Sequence, residues 1–557
     1  MRVPKTVEPA PFEICLRRRC RYEPATDIKY WHWLNEQTLQ KKLEHFRDQV
    51  KPAKNVIFFV GDGMGVVVET AARIYIGQKT NSASNQDPLA WHEWPYVGTQ
   101  KTYNVDRHVA CSSSTATAYL CGHKAHWYTL GVDSSVKLKD CGASLHTGDP
   151  TSIADWAIAS GKAAGLVTTT TVSHATPGAL YAHSAFRIWE AFVNETDAIN
   201  YDPRCKDIIH QLVHNHPGNQ LKLVMGGGRE MFLPAEEGGK RKDGQNMIET
   251  WKKLRGGDVL MNKDDLLKMD PTSKKPVLGL FADAQLTFES YKVKKGVGKD
   301  EPSLEEMTRA AIKKMQNNDD GKGYFLLIEG GRIDHGLHLG IAKPAFDEVH
   351  ELHKAVQAAM SLTSRSDTLM VVTADHSHPL SIQGYPERYH NILGTYDASD
   401  DMHTPNSPPA SILTLANSPQ AIKRKPGECT PDLSDPNIDF DDPDYMIPAL
   451  YPAFLINTHG GEDVAVYASG PGAALFTGNY ENTFLARGMA YALCVGDGPT
   501  ACNPNAKSPA LAQGKKFGCL NKNQLCYFWA SIGQCKSAKY GPYMKMNCQE
   551  ACGLCHG

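Results

Sequence analysis

Residues 324–338 read YFLLIEGGRIDHGLH. The first five, Tyr324–Ile328, are apolar without alternation, the pattern of a strand covered on both faces. The run opens directly onto Glu329, two glycines, Asp334, His335 and His338. An open α/β sheet forms its sites beyond the carboxyl ends of its strands, so this stretch reads as a buried strand delivering acids and imidazoles to a site.

The arrangement repeats along the chain. Val56–Val60 runs into Gly61-Asp62-Gly63, and Thr368–Thr373 runs into Ala374-Asp375-His376-Ser377-His378. Gly165–Val167 leads through a threonine run to His174-Ala175-Thr176, while Thr458-His459-Gly460-Gly461-Glu462-Asp463 precedes another apolar stretch. One aspartate after one strand is ordinarily a cap or turn residue. Five ends carrying Asp, Glu and His exceed what capping explains, and they point to a multimetal site. Carboxylates with imidazoles suit zinc, and carboxylates with a hydroxyl suit magnesium. These runs, with Leu221–Met225, alternate with helical stretches, which predicts an α/β fold with a mostly parallel central sheet flanked by helices.

Around this core, residues 1–27 form a polar leader. Residues 28–50 carry Tyr30, Trp31, Leu34, Leu39, Leu43 and Phe46 at helical spacing. The main domain is expected over 51–497, with a proline-rich, acidic, loop-rich insertion at 385–451. A linker at 498–518 leads to a cysteine module at 519–555.

The nucleophile candidate is Ser112, in Cys111-Ser112-Ser113-Ser114-Thr115 before an alanine-rich segment. A Ser/Thr cluster there is a helix start, so Ser112 reads either as a plain cap or as a hydroxyl beside free N–H groups that hold a phosphate.

The 557-residue chain is 41% apolar and 22% charged, the balance of a folded globular protein. A formal net charge of −2 gives no draw toward nucleic acid, and no nucleic-acid-specific partner is expected. No apolar run could span a bilayer, residues 1–20 lack the apolar core of a signal peptide, and no hydrophobic tail for lipid anchoring is visible. Of 15 cysteines, Cys519, Cys526, Cys535, Cys548, Cys552 and Cys555 crowd the C-terminal end. Their even count and loop-rich setting favour disulfides over zinc, and hence an oxidising compartment. Secretion as a soluble protein is the expectation, and Asn194-Glu195-Thr196 is a glycosylation sequon.

Together these strings resemble the alkaline phosphatase family, specifically its animal type, from about Tyr30 to Gly496. Lys101-Thr102-Tyr103-Asn104, Tyr181-Ala182-His183-Ser184 and Met225-Gly226-Gly227-Gly228-Arg229 carry the resemblance as well. It implies a phosphate monoester hydrolase acting through a phosphoserine at two zinc ions and one magnesium. Asp334, His338 and His459 match the first zinc's ligands, and Asp62, Asp375 and His376 the second's. Asp62, Thr176 and Glu329 match the magnesium ligands, with His174 beyond them and His378 behind the zinc pair. Ser112 matches the nucleophile and Arg187 the arginine that clamps the phosphate.

The resemblance also implies pairs Cys141–Cys205 and Cys494–Cys502, and a homodimer formed through an arm-like helix at 28–50 and a crown at 385–451. The segment 519–555 resembles a ShK-type toxin domain, which implies pairs Cys519–Cys555, Cys526–Cys548 and Cys535–Cys552 and leaves its extracellular partner unknown. Departures stand beside these matches. Cys111 occupies an aspartate position, Leu337 a histidine position, and Ile456 and Asn457 positions that are often acidic. Ala282 and Glu301 depart from the animal calcium site, so calcium is not expected. Two other readings compete: a sulfatase, whose Cys/Ser-x-Pro-x-Arg motif is not matched at Cys111–Thr115, and a metal-bound but inactive protein.

Overall fold

Every residue of Asn55–Gly61, Tyr324–Gly330 and Thr368–Ala374 is buried, as their continuous apolar runs require. Successive side chains enter opposite layers. Val56 and Phe58 join Phe325, Leu327 and Val371 in one apolar cluster, whereas Ile57 and Phe59 join Leu326, Ile328 and Val372 in the other. Each phenylalanine so buried contributes about 1.5–3 kcal/mol relative to exposure.

The structure is a computed structural model and describes residues 28–46, 51–80, 82, 86–146, 151–397, 409–419, 433, 435–452, 455–496, 534–537, 543–545 and 552. Its main sheet has ten strands, ordered Gly478–Glu481, Tyr96–Lys101, Val464–Ser469, Thr368–Ala374, Asn55–Gly61, Tyr324–Gly330, Ala163–Thr171, Leu223–Gly227, Val277–Leu280 and Asp258–Leu260. All neighbours pair in parallel except Val464–Ser469, which is antiparallel to both of its partners. That reversal brings the segment before Val464 to the same edge as the carboxyl ends of the central strands.

Some boundaries differ from those expected. The strand expected at Gly165–Val167 extends over Ala163–Thr171, because β-branched threonines suit a pleated strand and continue it. The one expected at Leu221–Met225 is Leu223–Gly227. Within 385–451 the described residues include short strands at Thr395–Tyr396, Ala410–Ser411 and Leu413–Ser418. Leu413–Ser418 pairs with Leu380–Ile382 and Ala449–Pro452 in a small sheet.

The helix Ile28–Phe46 packs on its own chain. Asn35 Nδ2 donates to the carbonyls of Gly122 (3.0 Å) and Thr483 (3.1 Å), and Arg487 pairs with Glu36 at 2.6 Å. Among the described residues no helix is long and apolar enough to cross a membrane.

Cys141–Cys205 and Cys535–Cys552 are bonded, and Cys494 is in a disulfide. Cys502, Cys519, Cys526, Cys548 and Cys555 lie outside the described residues.

Candidate active site and metal centre

Strand register assembles the site. Gly61 lies opposite Gly330 on one side and Ala374 on the other, and Thr168 lies opposite Glu329. Asp62 and Asp375 therefore emerge at one level from adjacent strands. Glu329 lies two residues further back on the third, level with Val60 and Thr168, and His174 and Thr176 follow the fourth. Gly63 is required at the crowded turn. Its φ is +69°, and a Cβ there would meet His378 Cδ2 at 2.7 Å.

Asp334 and His338 are four residues apart on the helix Arg332–His338 and so share a face. Leu337, on the same helix, turns into the apolar core, so this departure fills the core rather than the site. His459 reaches the pair from the antiparallel strand's leading segment. Its Nδ1 donates to the Ala110 carbonyl at 2.8 Å, and His338 Nδ1 donates to the Asn457 carbonyl. A carbonyl only accepts, so both Nε2 atoms carry lone pairs. They face each other at 3.1 Å, with Asp334 oxygens 3.2 Å from His338 and 3.5 Å from His459. Ligands about 2.05 Å from a tetrahedral zinc ion would stand about 3.3 Å apart, so this donor set fits one.

Beside it, His376 Nε2 lies 3.0 Å from Asp375 Oδ2 and 3.6 Å from Asp62 Oδ1. Asp375 Oδ1 accepts the amides of Gly63 (2.9 Å) and His376 (2.8 Å). Asp62 is fully buried, and among the described residues neither of its oxygens has a hydrogen-bond partner. Glu329 accepts from Thr168 and Thr170 at Oε2, but its Oε1 has no partner. Thr176 Oγ1 lies 3.3 Å from the Tyr119 hydroxyl. Potential ligand atoms converge within 4.8 Å in three sets: Asp334/His376/His378/His459, Asp62/Asp375/His376 and Asp62/His174/Glu329. The first set brings in His378, whose Nε2 is 2.6 Å from Asp334 Oδ1.

Burial is the main electrostatic force here. It raises the Asp62 carboxyl well above the ordinary range, with Asp375, Asp334 and Glu329 adding to it. Burial likewise pushes Glu329 up to about 7 and Asp375 up to about 6. For Asp334 burial is overridden by His338, His378 and His459, which hold its carboxyl low. A buried carboxylate with no partner costs several kcal/mol unless a cation compensates it. The orphaned oxygens and inward lone pairs fit divalent metal ions.

Ser112 opens the helix Ser112–Cys121, whose N-cap is Cys111 without a side-chain cap bond. The plain-cap reading of Ser112 therefore fails. Its Oγ is 3.3 Å from His376 Nε2. Ser114 N and Thr115 N bond the Cys111 carbonyl, while the amides of Ser112 and Ser113 have no partner among the described residues. Arg187 is half-buried, and its Nη2 bonds His174 Nε2 at 2.9 Å.

Three further residues take part, of which His335 and Asn457 were named from sequence without a role and Tyr128 was not named. His335 packs edge-on to His174 at 5.3 Å and takes a 2.8 Å bond from Arg332. Asn457 bonds both His338 and His378. Tyr128 lies beneath Arg187. An isolated tyrosine such as Tyr128 carries no spacing signal. Cys111 and Cys121 are free and buried, and Cys111 belongs to none of the three ligand sets.

The family model described as "Alkaline phosphatase" matches residues 53–495, and "ShK domain-like" matches 518–555. The tissue-nonspecific alkaline phosphatase isozyme of Homo sapiens is 39% identical over 515 residues, covering 90% of this chain and 95% of that protein. The membrane-bound alkaline phosphatase of Bombyx mori is 39% identical over 473 residues, covering 83% of this chain and 84% of its own. Among solved structures, the Thermus thermophilus alkaline phosphatase matches with a TM-score of 0.56 at 22% identity, over 80% of this chain and 93% of that one.

Proposed function

This chain belongs to the alkaline phosphatase family and is a phosphatase, and on that premise we propose that it hydrolyses phosphate monoesters through a phosphoserine at Ser112. The observation that carries the reading is the pairing of a buried, partnerless Asp62 carboxylate with a serine hydroxyl 3.3 Å from the neighbouring His376 Nε2.

In this reading Asp334, His338 and His459 hold one zinc ion, Asp62, Asp375 and His376 a second, and Asp62, Thr176 and Glu329 a magnesium, with His174 and His378 behind them. Such ions, when bound, neutralise charge on the attacking and leaving oxygens and favour the deprotonated hydroxyl and water. Arg187, with the free amides of Ser112 and Ser113, binds the phosphate oxygens at the helix N-terminus. Ser112 Oγ forms a bond to phosphorus as the ester oxygen leaves with its organic group. Water then attacks the same phosphorus, the Oγ–P bond breaks, and free phosphate departs.

The inactive-protein reading rests on Cys111 and Leu337, and against its second part stands the place of Leu337 in the apolar core. We read residues 51–497 as the catalytic domain, 385–451 as its insertion, and 519–555 as a separate disulfide module after the linker at 498–518. Secretion and a homodimer complete the proposal, with small phosphomonoesters as substrates. The test is hydrolysis of p-nitrophenyl phosphate at alkaline pH by the full chain, with zinc and magnesium counted by elemental analysis. Metal-loaded protein that neither hydrolyses the ester nor is phosphorylated on Ser112 would sink the proposal.

A further inference from the structure

We propose that Tyr128 is the positioning residue for Arg187, and that the Cys111 thiol holds Tyr128 in the backbone conformation this requires. The inference rests on the reading of Arg187 as the phosphate-binding side chain.

Among the described residues no ion pair holds Arg187, although Asp62 and Asp334 act on its charge. Its contacts are of another kind. The Arg187 amide donates to the Tyr128 carbonyl at 2.9 Å, its guanidinium carbon is 5.5 Å from the centre of the Tyr128 ring, and its Nη2 bonds His174. One residue thus fixes both the root and the head of the arginine. The ring itself is held by Trp127, 3.9 Å away between centroids, and by Phe186, nearly parallel at 6.1 Å.

Tyr128 achieves this in a conformation unfavourable to it. Its φ is +66°, the left-handed region that a bulky aromatic residue rarely adopts. Backbone strain of this kind persists only where its surroundings over-determine it, and it concentrates at functional sites. Here the determinant is visible. The Tyr128 amide donates to Cys111 Sγ at 3.1 Å, and the same sulfur lies 3.3 Å from Ser113 Oγ and 3.5 Å from Ser114 Oγ. Cys111 immediately precedes Ser112, so the nucleophile helix and the arginine platform are tied at one sulfur atom.

Three variants of the full chain, loaded with zinc and magnesium, separate ring from backbone. Tyr128→Gly accepts φ +66° without strain but removes the ring, Tyr128→Phe keeps the ring, and Cys111→Ala removes the acceptor. The readouts are inorganic phosphate affinity by titration calorimetry, KM and kcat for p-nitrophenyl phosphate, and the melting temperature. Tyr128→Gly should weaken phosphate binding about three- to thirtyfold, the range a cation–π contact supplies, and should raise KM, with no loss of melting temperature. Tyr128→Phe should stay within about twofold of the parent, and Cys111→Ala should fall between. Parental phosphate affinity in Tyr128→Gly overturns the inference and leaves the phosphatase reading intact. A parent protein that binds no phosphate when loaded overturns both.

Discussion

Asn457 Oδ1 lies 2.6 Å from His378 Nδ1, and the carbonyl of the same asparagine accepts the Nδ1 proton of His338. One buried residue therefore orients two imidazoles of the metal centre. It is anchored in turn, because its Nδ2 donates to the carbonyl and side chain of Asn417, and the Thr458 amide bonds Asn417 Oδ1 at 2.9 Å. Partners behind metal ligands fix tautomer and ring angle, and losing one typically costs about 10–100-fold in affinity. Asn457→Ala keeps the backbone carbonyl on His338 and, of the two imidazoles, releases only His378. It should therefore weaken zinc binding by the low end of that range, about tenfold, while the melting temperature of the metal-free protein stays close to the parent's. Chelator-competition titration measures it, and an unchanged zinc affinity would show the network to be incidental.

Ser112→Ala should retain the metal complement of the parent, because the acids and imidazoles converge without help from the hydroxyl. Acid-quenched protein incubated with labelled phosphate should lose its covalent label. Label at the parental level on the variant would refute the assignment and transfer the role to Ser113 or Ser114.

Much of this site could be read in advance because its acids continue apolar runs: Asp62, Glu329 and Asp375 sit where buried strands end, and strand register does the rest. Asp334 and His338 were named in the strand-end cluster and paired through the family resemblance, and the helix Arg332–His338 accounts for their shared face. Other features depend on tertiary packing that spacing does not encode. His459 is brought to the site only because Val464–Ser469 runs against its neighbours. The left-handed backbone of Tyr128 has no signature in a tyrosine, and Asn457 meets Asn417 across 40 residues of chain. Leu337 shows the same dependence on packing. Beside Asp334 and His338 in sequence it looked like a change to the site, but its angle on the helix sends it into the core.

The Cys141–Cys205 bond closes a separation of 64 residues around the small apolar cluster holding Val132, Val136, Ala185 and Trp189. Chain-entropy reasoning gives a loop of that length about 4 kcal/mol of stabilisation, and loss of native bonds commonly costs about 2–5 kcal/mol. The double variant Cys141→Ser, Cys205→Ser should therefore unfold at lower urea concentration, with its metal content unchanged while folded. An unaltered urea midpoint under oxidising conditions would show that the bond adds nothing to the folded state.

Metal removal should expose the cost of gathering these carboxylates. Without ions, burial raises Asp62, lifts Glu329 to about 7 and lifts Asp375 to about 6, whereas in an unfolded chain such groups release their protons near pH 4. At these three carboxyls the metal-free fold holds more protons than the unfolded chain, which lowers stability as pH rises. Burial also keeps His174, His335, His338, His376 and His459 neutral in the fold, which acts in the opposite sense below about pH 6.5, so the carboxyl penalty shows above that pH. Bound cations cancel the penalty by pairing with the ionised groups. The melting temperature of chelator-stripped protein should drop between about pH 6.5 and 8, where the histidines no longer titrate in either state, and the gap between loaded and stripped protein should be wider at about pH 8 than at about pH 6.5. Asp62→Asn supplies the control, since a neutral side chain of the same shape removes one buried charge. The stripped variant should melt higher than the stripped parent at pH 8, and the difference should shrink toward pH 5. A gap that stays constant or narrows at pH 8 would mean that these carboxylates are compensated by the protein itself rather than by metal.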